Sequence, residues 1–334
     1  MDIQRLEAWY EKNHRKLIFR ETNNPYFIWV SEIMLQQTQV EAVLPFFERL
    51  IKKYPTVLEL SKAEETVFQK DVEGLGYYRR FKNMLKASRI IVNDFSGVFP
   101  NRYEELIKLP GIGKYTAGAI MSIAYNEPYS ALDGNVIRVL SRFLGNDLDM
   151  RVEKNKRILD QKNQTYIEQA TPKIYTQAMM ELGAKICRPK NPKCEDCPLQ
   201  EQCFAYLNDQ TDKFPLLSRL KDKKEFNYIT LLISFKDKIC LRKRTESLLE
   251  GMYEYPQYEV ESISNIVDDL ENQGIHVSYY QYQKTYKHIF THQIWNMHVY
   301  KMVVKEKVLE DWVLIEKEKI NELPMAIAHR KIKL

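Results

Sequence analysis

The stretch LPGIGKYTAGAI (residues 109–120), followed after a short apolar link by LDGNV (residues 132–136), decides the fold of this chain. The residues on either side of the first turn, 102–108 and 115–124, have the apolar spacing of two helices. Pro110 and the glycines that follow it end the first of these helices and permit a tight turn. The stretch therefore predicts two short helices joined by a hairpin-like turn.

The turn also has the properties of an anion site. The second helix begins with free backbone N–H groups, and both these donors and the helix dipole attract a phosphate. Gly111 and Gly113 keep the turn compact, Gly113 lets another backbone approach closely, and Lys114 adds positive charge. The pattern predicts contact with a phosphate backbone, but a purely structural helix–turn–helix has the same signature.

Asp133 stands just before a second candidate helix, residues 134–143. Aspartate is a common N-cap, because its carboxylate accepts hydrogen bonds from the first N–H groups of a helix. A capping aspartate can still face a cleft, so a structural and a chemical role are both open for Asp133.

Composition limits the classes of protein to be considered. At 334 residues the chain is long for one domain, so we expect two, and a hydrophobic content of 44% suffices for folded cores. The 50 Lys and Arg residues exceed the 45 Asp and Glu residues by five, which permits a nucleic-acid partner without requiring one. The charged N-terminus is unlike a secretory signal, and no uncharged stretch is long enough to span a bilayer. We therefore expect a cytoplasmic protein that is not bound to a membrane.

Four of the five cysteines are clustered, with the spacing Cys187-x6-Cys194-x2-Cys197-x5-Cys203. In an intracellular chain such a cluster indicates a metal centre and not disulfides. Tetrahedral zinc and a [4Fe–4S] cluster both accept four thiolates. The fifth, Cys240, lies outside this spacing and is expected to be a buried thiol.

Two further segments of the N-terminal part carry unusual residues. Residues 25–39 form an apolar helical pattern that contains Glu32, and a carboxylate there must be paired, protonated or facing a cleft. The segment GLGYYRR (residues 74–80) places glycines and tyrosines at the start of a helix. Its aromatic side chains can pack locally, or can act as a wedge between DNA bases. Residues 1–20 are expected to form a further helix.

The residue composition and the hydrophobic pattern of the sequence change near residue 207. Residues 207–227 are polar and charged and form the predicted linker. After them, aromatic and β-branched residues alternate with polar ones in the manner of strands, interrupted by a helix near 264–272.

LPGIG followed by LDGNV and the cysteine run resembles the helix-hairpin-helix DNA glycosylases. SEIMLQQTQV (residues 31–40) and GLGYY (residues 74–78) further resemble the MutY-type adenine glycosylases of that superfamily. The resemblance implies a mainly α glycosylase domain with a helix-hairpin-helix and a [4Fe–4S] cluster loop at 1–206, the linker at 207–227, and an α+β Nudix-like domain for 8-oxoguanine recognition at 228–334.

The same resemblance implies roles for individual residues. Glu32 would protonate the adenine base, and Asp133 would stabilise the oxocarbenium ion of the sugar. Tyr115 would lie near both, and Asn135 would hold Glu32 or a water. The residues implied in substrate binding are Arg20, Gln37, Thr38, Leu75, Tyr77, Phe290, Thr291 and His292. Gly111, Gly113 and Lys114 would contact the DNA backbone, the four clustered cysteines would hold a [4Fe–4S] cluster, and Arg79 and Arg80 would meet phosphate or solvent.

The implied partner is double-stranded DNA with adenine opposite 8-oxoguanine or guanine, bound by a monomer. The chain departs from the family in two places. Thr291 replaces the serine of the family's Phe-Ser-His loop, and the glutamate-rich Nudix signature is missing after Gly251. Pyrophosphate hydrolysis is therefore not expected.

Two alternatives remain. Endonuclease III-type enzymes carry a catalytic lysine at the second residue after the GxG of the hairpin, where this chain has Tyr115. Lys114 is one residue earlier, which rotates its side chain by about 100°, so we expect a monofunctional glycosylase and not a bifunctional glycosylase/AP lyase. The other alternative is a non-catalytic DNA-binding protein stabilised by a structural zinc.

Overall fold

A computed structural model describes residues 1–219, 222–259, 262–306 and 308–333. Their contacts divide the chain into two compact units, one made of Met1–Lys62 and Asn83–Arg219, the other of Ala63–Lys82 and the described residues of Leu220–Leu334.

The segment Ala63–Lys82 thus clusters with the C-terminal strands, whereas the domain limits implied by the resemblance include it in the glycosylase domain. Helical periodicity shows that one face is buried, but not which element covers it. The domain limits 1–206, 207–227 and 228–334 stay a prediction. Residues 220, 221, 260, 261, 307 and 334 lie outside the described residues.

The first unit is helical, as predicted. Its helices are α1 (Ile3–Asn13), α2 (Pro25–Leu35), α3 (Val40–Lys53), α4 (Val57–Ser61), most of α6 (Arg79–Asp94), α7 (Tyr103–Leu106), α8 (Lys114–Ala124), α9 (Gly134–Leu144), α10 (Glu153–Ile167), α11 (Pro172–Lys185) and α12 (Phe204–Leu207). Short 3₁₀ turns at Cys194–Asp196 and Gln200–Gln202 lie in the cysteine loop.

Two predicted helices are shorter than expected. The helix expected over 1–20 ends at Asn13, and the backbone N–H of Arg15 bonds to the Glu181 carboxylate of α11 at 3.1 Å instead of continuing the helix. Helix α2 ends at Leu35 and not near residue 39, since Gln37 adopts a left-handed conformation with φ of 58°. Sequence periodicity does not predict where either helix ends, because the two ends depend on a tertiary contact and on a single backbone angle.

The core of the first unit sets the position of α9. Leu140 of α9 and Leu182 of α11 are fully buried in one cluster. The two helices approach so closely at Gly183 that a Cβ there would lie 2.6 Å from the Cβ of Asn135. This approach fixes the N-terminal turn of α9, which carries Asp133 and Asn135.

The second unit combines helix α5 (Glu65–Asp71), a sheet and two further helices. The strands are β1 (Lys224–Phe235), β2 (Lys238–Lys243), β3 (Tyr253–Glu254), β4 (Gln257–Tyr258), β5 (His276–Ile289), β6 (Gln293–Lys305) and β7 (Trp312–Glu316), with helices α13 (Ile263–Asn272) and α14 (Ile327–Arg330).

Within the described residues these strands form one sheet with the order β3-β2-β1-β6-β5, while β4 pairs with β1 and β7 with β2. Strands β1 and β6 are parallel, from Lys224 opposite Gln293 to Ser234 opposite Val303. Strands β5 and β6 form an antiparallel hairpin that closes at Ile289 opposite Ile294. The predicted fold class, a helical domain followed by an α+β domain, is confirmed.

Candidate active site

Glu32 of α2 is buried in the first unit, with 6% of its surface exposed. Its carboxylate accepts a hydrogen bond from the hydroxyl of Tyr115, which lies in the first turn of α8. Burial raises the pKa of Glu32 to about 7, the nearby charge of Asp133 adds to the increase, and the hydrogen bond from Tyr115 opposes it. Glu32 can therefore hold a proton near neutral pH.

Asp133 is the N-cap of α9, as its position in the sequence allows. Its carboxylate accepts hydrogen bonds from the backbone N–H of Val136 at 2.7 Å and from Asn135 Nδ2 at 2.9 Å. Burial raises the pKa of Asp133, while these hydrogen bonds work in the opposite direction. The structure pairs Asn135 with Asp133 and not with Glu32.

These side chains line one cavity of about 770 Å³ in the first unit. The predicted site residues that line it are Glu32, Tyr115, Asp133, Asn135, Arg20, Gln37 and Thr38. The cavity thus combines a carboxyl group that can hold a proton near neutral pH, a second carboxyl group at a helix N-terminus, and polar side chains around them.

A charged cluster behind the cavity wall was missed from the sequence. Glu181 of α11 has a fully buried side chain and pairs with two arginines that line the cavity, Arg15 at 2.9 Å and Arg20 at 2.5 Å. Gln177, one turn earlier, accepts a hydrogen bond from Tyr10 at 2.6 Å and also lines the cavity. The sequence did contain a signal for Glu181: a carboxylate inside the apolar stretch AMMELG (residues 178–183). The same kind of signal identified Glu32.

The hairpin turn has the conformation that the sequence predicted. Gly111 has φ of 81°, and a Cβ there would lie 2.9 Å from the Cβ of Asn83. Gly113 is the N-cap of α8, and none of the described side chains caps that helix. A Cβ on Gly113 would meet no described atom within 4 Å, and Lys114 beside it is exposed. The first N–H groups of α8 are thus accessible to an anion.

The GLGYY loop belongs to the second unit. Leu75 is buried, whereas Tyr77 is 53% exposed and has a left-handed φ of 49°. Arg80 was expected at phosphate or solvent, and this is wrong: it is 3% exposed, and its Nη2 donates to the carbonyl of Leu75 at 3.1 Å. Its guanidinium also lies over the ring of Phe81, at 4.6 Å. Arg79 is exposed, as expected.

The turn between β5 and β6 carries the candidate lesion-recognition residues. Phe290 is half-buried and packs against Trp295, with 4.8 Å between ring centroids. Its backbone N–H donates to the carbonyl of Gln293 at 2.8 Å. Thr291 and His292 are exposed at the tip. Phe290 thus anchors the turn and presents the two polar side chains.

The four clustered cysteines surround one small cavity in the loop after α11. Arg142 of α9, only 2% exposed, donates to the Sγ of Cys187 at 3.4 Å and to the carbonyl of Arg188 at 2.7 Å. Among the described residues, no three His, Cys, Asp or Glu side chains are arranged around a single metal ion. Four thiols around one cavity can hold either a [4Fe–4S] cluster or a tetrahedral zinc ion.

Comparison with known proteins identifies the family. Residues 30–168 match the HhH-GPD superfamily of base excision DNA repair proteins, residues 228–333 the NUDIX domain, and residues 187–203 the iron–sulfur binding domain of endonuclease III. The adenine DNA glycosylase of Buchnera aphidicola subsp. Acyrthosiphon pisum (strain APS) is 33% identical over 320 residues, which cover 93% of this chain and 89% of the relative. The chain belongs to the adenine DNA glycosylase family.

A second adenine DNA glycosylase, from Buchnera aphidicola subsp. Baizongia pistaciae (strain Bp), is 38% identical over 265 residues, 76% of this chain and 73% of the relative. Among solved structures, a thermostable thymine-DNA glycosylase superposes with a TM-score of 0.56 and 26% identity, covering 62% of this chain and 95% of that one. The similarity of fold thus extends to a thymine-DNA glycosylase and does not specify the base. The sequence relatives specify adenine as the base that is removed.

Family membership excludes one of the two alternatives that the sequence left open, the non-catalytic zinc protein. The protein is an adenine-specific DNA N-glycosylase of base excision repair that acts on double-stranded DNA, and not a non-catalytic zinc protein. Its cofactor is a [4Fe–4S] cluster, in agreement with the match at 187–203 and the shared cavity of the four thiols. In the part of the chain that the structure describes, every helix is too short or too polar to cross a bilayer.

Proposed function

We propose that this adenine glycosylase acts as a monomer on chromosomal DNA and hydrolyses the N-glycosidic bond of adenine paired with 8-oxoguanine or guanine. One observation carries the proposal: Glu32 and Asp133 line the same cavity, and Glu32 can hold a proton near neutral pH. Breaking an N-glycosidic bond needs a proton on the leaving base and a negative charge beside the sugar cation. Two carboxyl groups in different environments supply both.

The reaction begins with extrusion of the adenine, because its reacting atoms are inaccessible inside a duplex. Glu32 donates its proton to N7 of adenine, the C1′–N9 bond breaks, and the electron pair leaves with the base. Asp133 stabilises the resulting oxocarbenium ion, or bonds to it transiently. The Glu32 carboxylate then takes a proton from the attacking water. Val136 N–H and Asn135 hold the Asp133 carboxylate in place.

Other side chains serve binding. Arg20 lines the cavity into which the adenine would turn, and so do Gln37 and Thr38. The exposed Tyr77 and its neighbour Leu75 would contact the intact partner base, with Arg80 holding their loop. The open N-terminus of α8 at Gly113, together with Gly111 and Lys114, would bind a DNA phosphate.

The second unit would read the opposing base. Phe290, Thr291 and His292 form a turn in which one aromatic anchor supports two exposed polar groups. The hydroxyl of Thr291 and the ring of His292 can donate and accept hydrogen bonds at the edge of 8-oxoguanine. The cluster would be held by Cys187, Cys194, Cys197 and Cys203. It would order the basic segment RPKNPK (residues 188–193) for contact with phosphates.

The lyase alternative needs an amine in the cavity, and Tyr115 occupies the relevant position with its hydroxyl on Glu32. We therefore propose a monofunctional enzyme. Single-turnover base release would be measured on duplexes with adenine opposite 8-oxoguanine, guanine, cytosine or thymine, each sample being analysed with and without alkali.

The proposal expects fast release opposite 8-oxoguanine, with strand breaks that appear mainly after alkali. Equal rates opposite all four bases would contradict the role of residues 290–292. Strand breaks without alkali would move the protein to the lyase class.

Point variants suit this question better than removal of everything after Leu207. Glu73, in the segment Ala63–Lys82, pairs with Arg330 of α14 at 2.7 Å, so a truncation would also disturb the GLGYY loop. His292→Ala and Thr291→Ala change exposed side chains alone. Both should slow release opposite 8-oxoguanine more than opposite guanine.

A further inference from the structure

Glu181 is a buried carboxylate that the proposed chemistry does not use. Its side chain is fully buried, and it accepts two hydrogen bonds of 2.9 Å from the guanidinium of Arg15, from Nε and from Nη2. The backbone N–H of Arg15 adds a third at 3.1 Å, and Arg20 Nη1 a fourth at 2.5 Å. One carboxylate therefore anchors two cavity-lining arginines that precede α2 in the chain.

The ion cluster stays charged. Burial alone would raise the pKa of Glu181, but the hydrogen bonds and charges of Arg15 and Arg20 outweigh it and lower the pKa below its ordinary value. Arginine does not lose its proton in proteins. The cluster of Arg15, Arg20 and Glu181 thus carries two positive charges and one negative charge.

This charge balance matters for Glu32. The charged and titratable groups that face Glu32 are Tyr115 from α8, Asp133 at the start of α9 and Arg20 from the segment before α2. Arg20 favours the ionised carboxylate and thus lowers the pKa of Glu32. Arg15, Glu41 and Arg138 also line the cavity. An uncompensated pair of arginines would draw the proton from Glu32 at a lower pH.

We propose that Glu181 is a positioning residue for the glycosylase reaction: it holds Arg15 and Arg20 against α11 and neutralises one of their charges, so that Glu32 keeps its proton. This inference rests on the proposed role of Glu32 as the acid. It assigns to Glu181 an effect on proton transfer that acts through Arg20, without contact between Glu181 and the adenine.

The test is the pH dependence of single-turnover adenine release by the full-length, cluster-loaded protein. In Glu181→Gln this cluster carries two positive charges and no negative charge. The pH at which the rate begins to fall should therefore move down by about one unit. The rate at pH 8 should drop about tenfold, whereas the rate at pH 5 should stay within about threefold of the wild type. A merely structural role would lower the rate equally at every pH.

Matched variants sharpen the experiment. Glu41 also pairs with Arg15, at 3.5 Å, but its side chain is 75% exposed, and exposed pairs contribute little. Glu41→Gln should leave the midpoint of the pH profile in place. Glu181→Asp keeps the negative charge, so its midpoint should lie closer to the wild type than that of Glu181→Gln.

If Glu181→Gln does not fold, as judged by its melting temperature and cluster absorbance, Arg15→Gln replaces it. That variant keeps the pair between Glu181 and Arg20 but removes one positive charge, so the midpoint should move up. An unshifted midpoint in the folded variant overturns the inference. If instead the wild type shows no decline above neutral pH, or Glu32→Gln retains turnover, the role of Glu32 itself fails.

Discussion

The hydroxyl of Tyr115 donates a hydrogen bond to the carboxylate of Glu32 and so joins the first turn of α8 to the middle of α2. Burial raises the pKa of Tyr115 well above its ordinary value, and the charge of Glu32 adds to the increase, so the hydroxyl stays protonated and remains a donor. A residue in the first turn of α8 thus supports the candidate acid directly. In a lyase the same position would have to supply an amine.

Removal of this hydrogen bond should change the pH profile in a defined direction. The bond favours the ionised form of Glu32, so its loss in Tyr115→Phe raises the pKa of Glu32 above about 7. Adenine release should then persist to higher pH, with the midpoint of the decline moved up. Single-turnover rates between pH 5 and 9 measure this shift.

Tyr125→Phe is the matched control for this change. Its hydroxyl, at the other end of α8, bonds to the carbonyl of Phe99 at 3.1 Å, so its loss should not move the midpoint. A midpoint of Tyr115→Phe that falls, or equals that of the wild type, would show that the bond does not act on the acid.

The burial of Glu32 should cost stability at neutral and higher pH. Its pKa is raised from about 4.5 to about 7, so folding favours the protonated form, and stability is lost as pH rises between these two values. The full penalty, on the order of 3 kcal/mol, applies above pH 7. Glu32→Gln should therefore be more stable than the wild type at pH 8 and equally stable at pH 4, while adenine release is abolished and DNA binding retained.

Denaturant unfolding at both pH values measures this difference. Glu48→Gln on α3 is the control, since the side chain of Glu48 is exposed. Equal stability of Glu32→Gln and the wild type at pH 8 would mean that burial does not raise the pKa of Glu32 in the folded protein.

Asp133 has two roles that different substitutions separate. Asparagine also caps helices, so Asp133→Asn should keep the fold but lose the charge that stabilises the sugar cation, with a drop in rate of about two to three orders of magnitude. Asp133→Ala should lose both the charge and about 1 kcal/mol of stability. Single-turnover rates and melting temperatures of both variants distinguish the two roles. If Asp133→Asn is fully active, the charge of Asp133 is not needed for the reaction and only the capping role remains.

The sequence predicted those parts of the site that rest on local chemistry. A carboxylate in an apolar helix, an aspartate before a helix and four close cysteines each have a local signal, and Glu32 and Asp133 do line one cavity. The strands β1, β2, β5 and β6 also followed from alternation. Such features depend on residues within one or two turns of each other.

The remainder depends on partners far apart in the chain. Glu181 lies 166 positions after Arg15 and 161 after Arg20, and no local pattern pairs a carboxylate with an arginine over that separation. Arg80 was expected at the surface because arginine is usually exposed. It is buried because its guanidinium donates to the carbonyls of Leu75 and Gly76, in a loop that contains left-handed residues.

Arg80 should control the shape of the GLGYY loop. Its guanidinium bonds to the carbonyl of Leu75 and lies over Phe81, a combination that lysine cannot reproduce. Arg80→Lys should therefore loosen the loop, and the ratio of adenine release opposite 8-oxoguanine to that opposite guanine should change, with little effect on the pH profile.

The neighbouring Arg79→Lys is the matched control, because Arg79 is exposed. It should leave the ratio of rates unchanged. If Arg80→Lys does so as well, the loop does not need Arg80 for its function.

Arg142 should decide how firmly the cluster is held. It is 2% exposed and donates to the sulfur of Cys187 and to backbone carbonyls within and after the cysteine loop, those of Arg188 and Thr211 among them. In Arg142→Met these acceptors are left buried and unpaired, at a cost of about 1–3 kcal/mol for each. The variant should be purified with less iron per chain and a lower melting temperature than the wild type.

The single-turnover rate, divided by the fraction of molecules that carry the cluster, should stay close to that of the wild type, because Glu32 and Asp133 keep their own hydrogen bonds. Arg5→Met is the control near the same loop: Arg5 pairs with Glu201 at 3.0 Å, but both side chains are exposed. It should change neither the iron content nor the melting temperature. An Arg142→Met protein with full iron content and unchanged melting temperature would show that the cysteines hold the loop without this arginine.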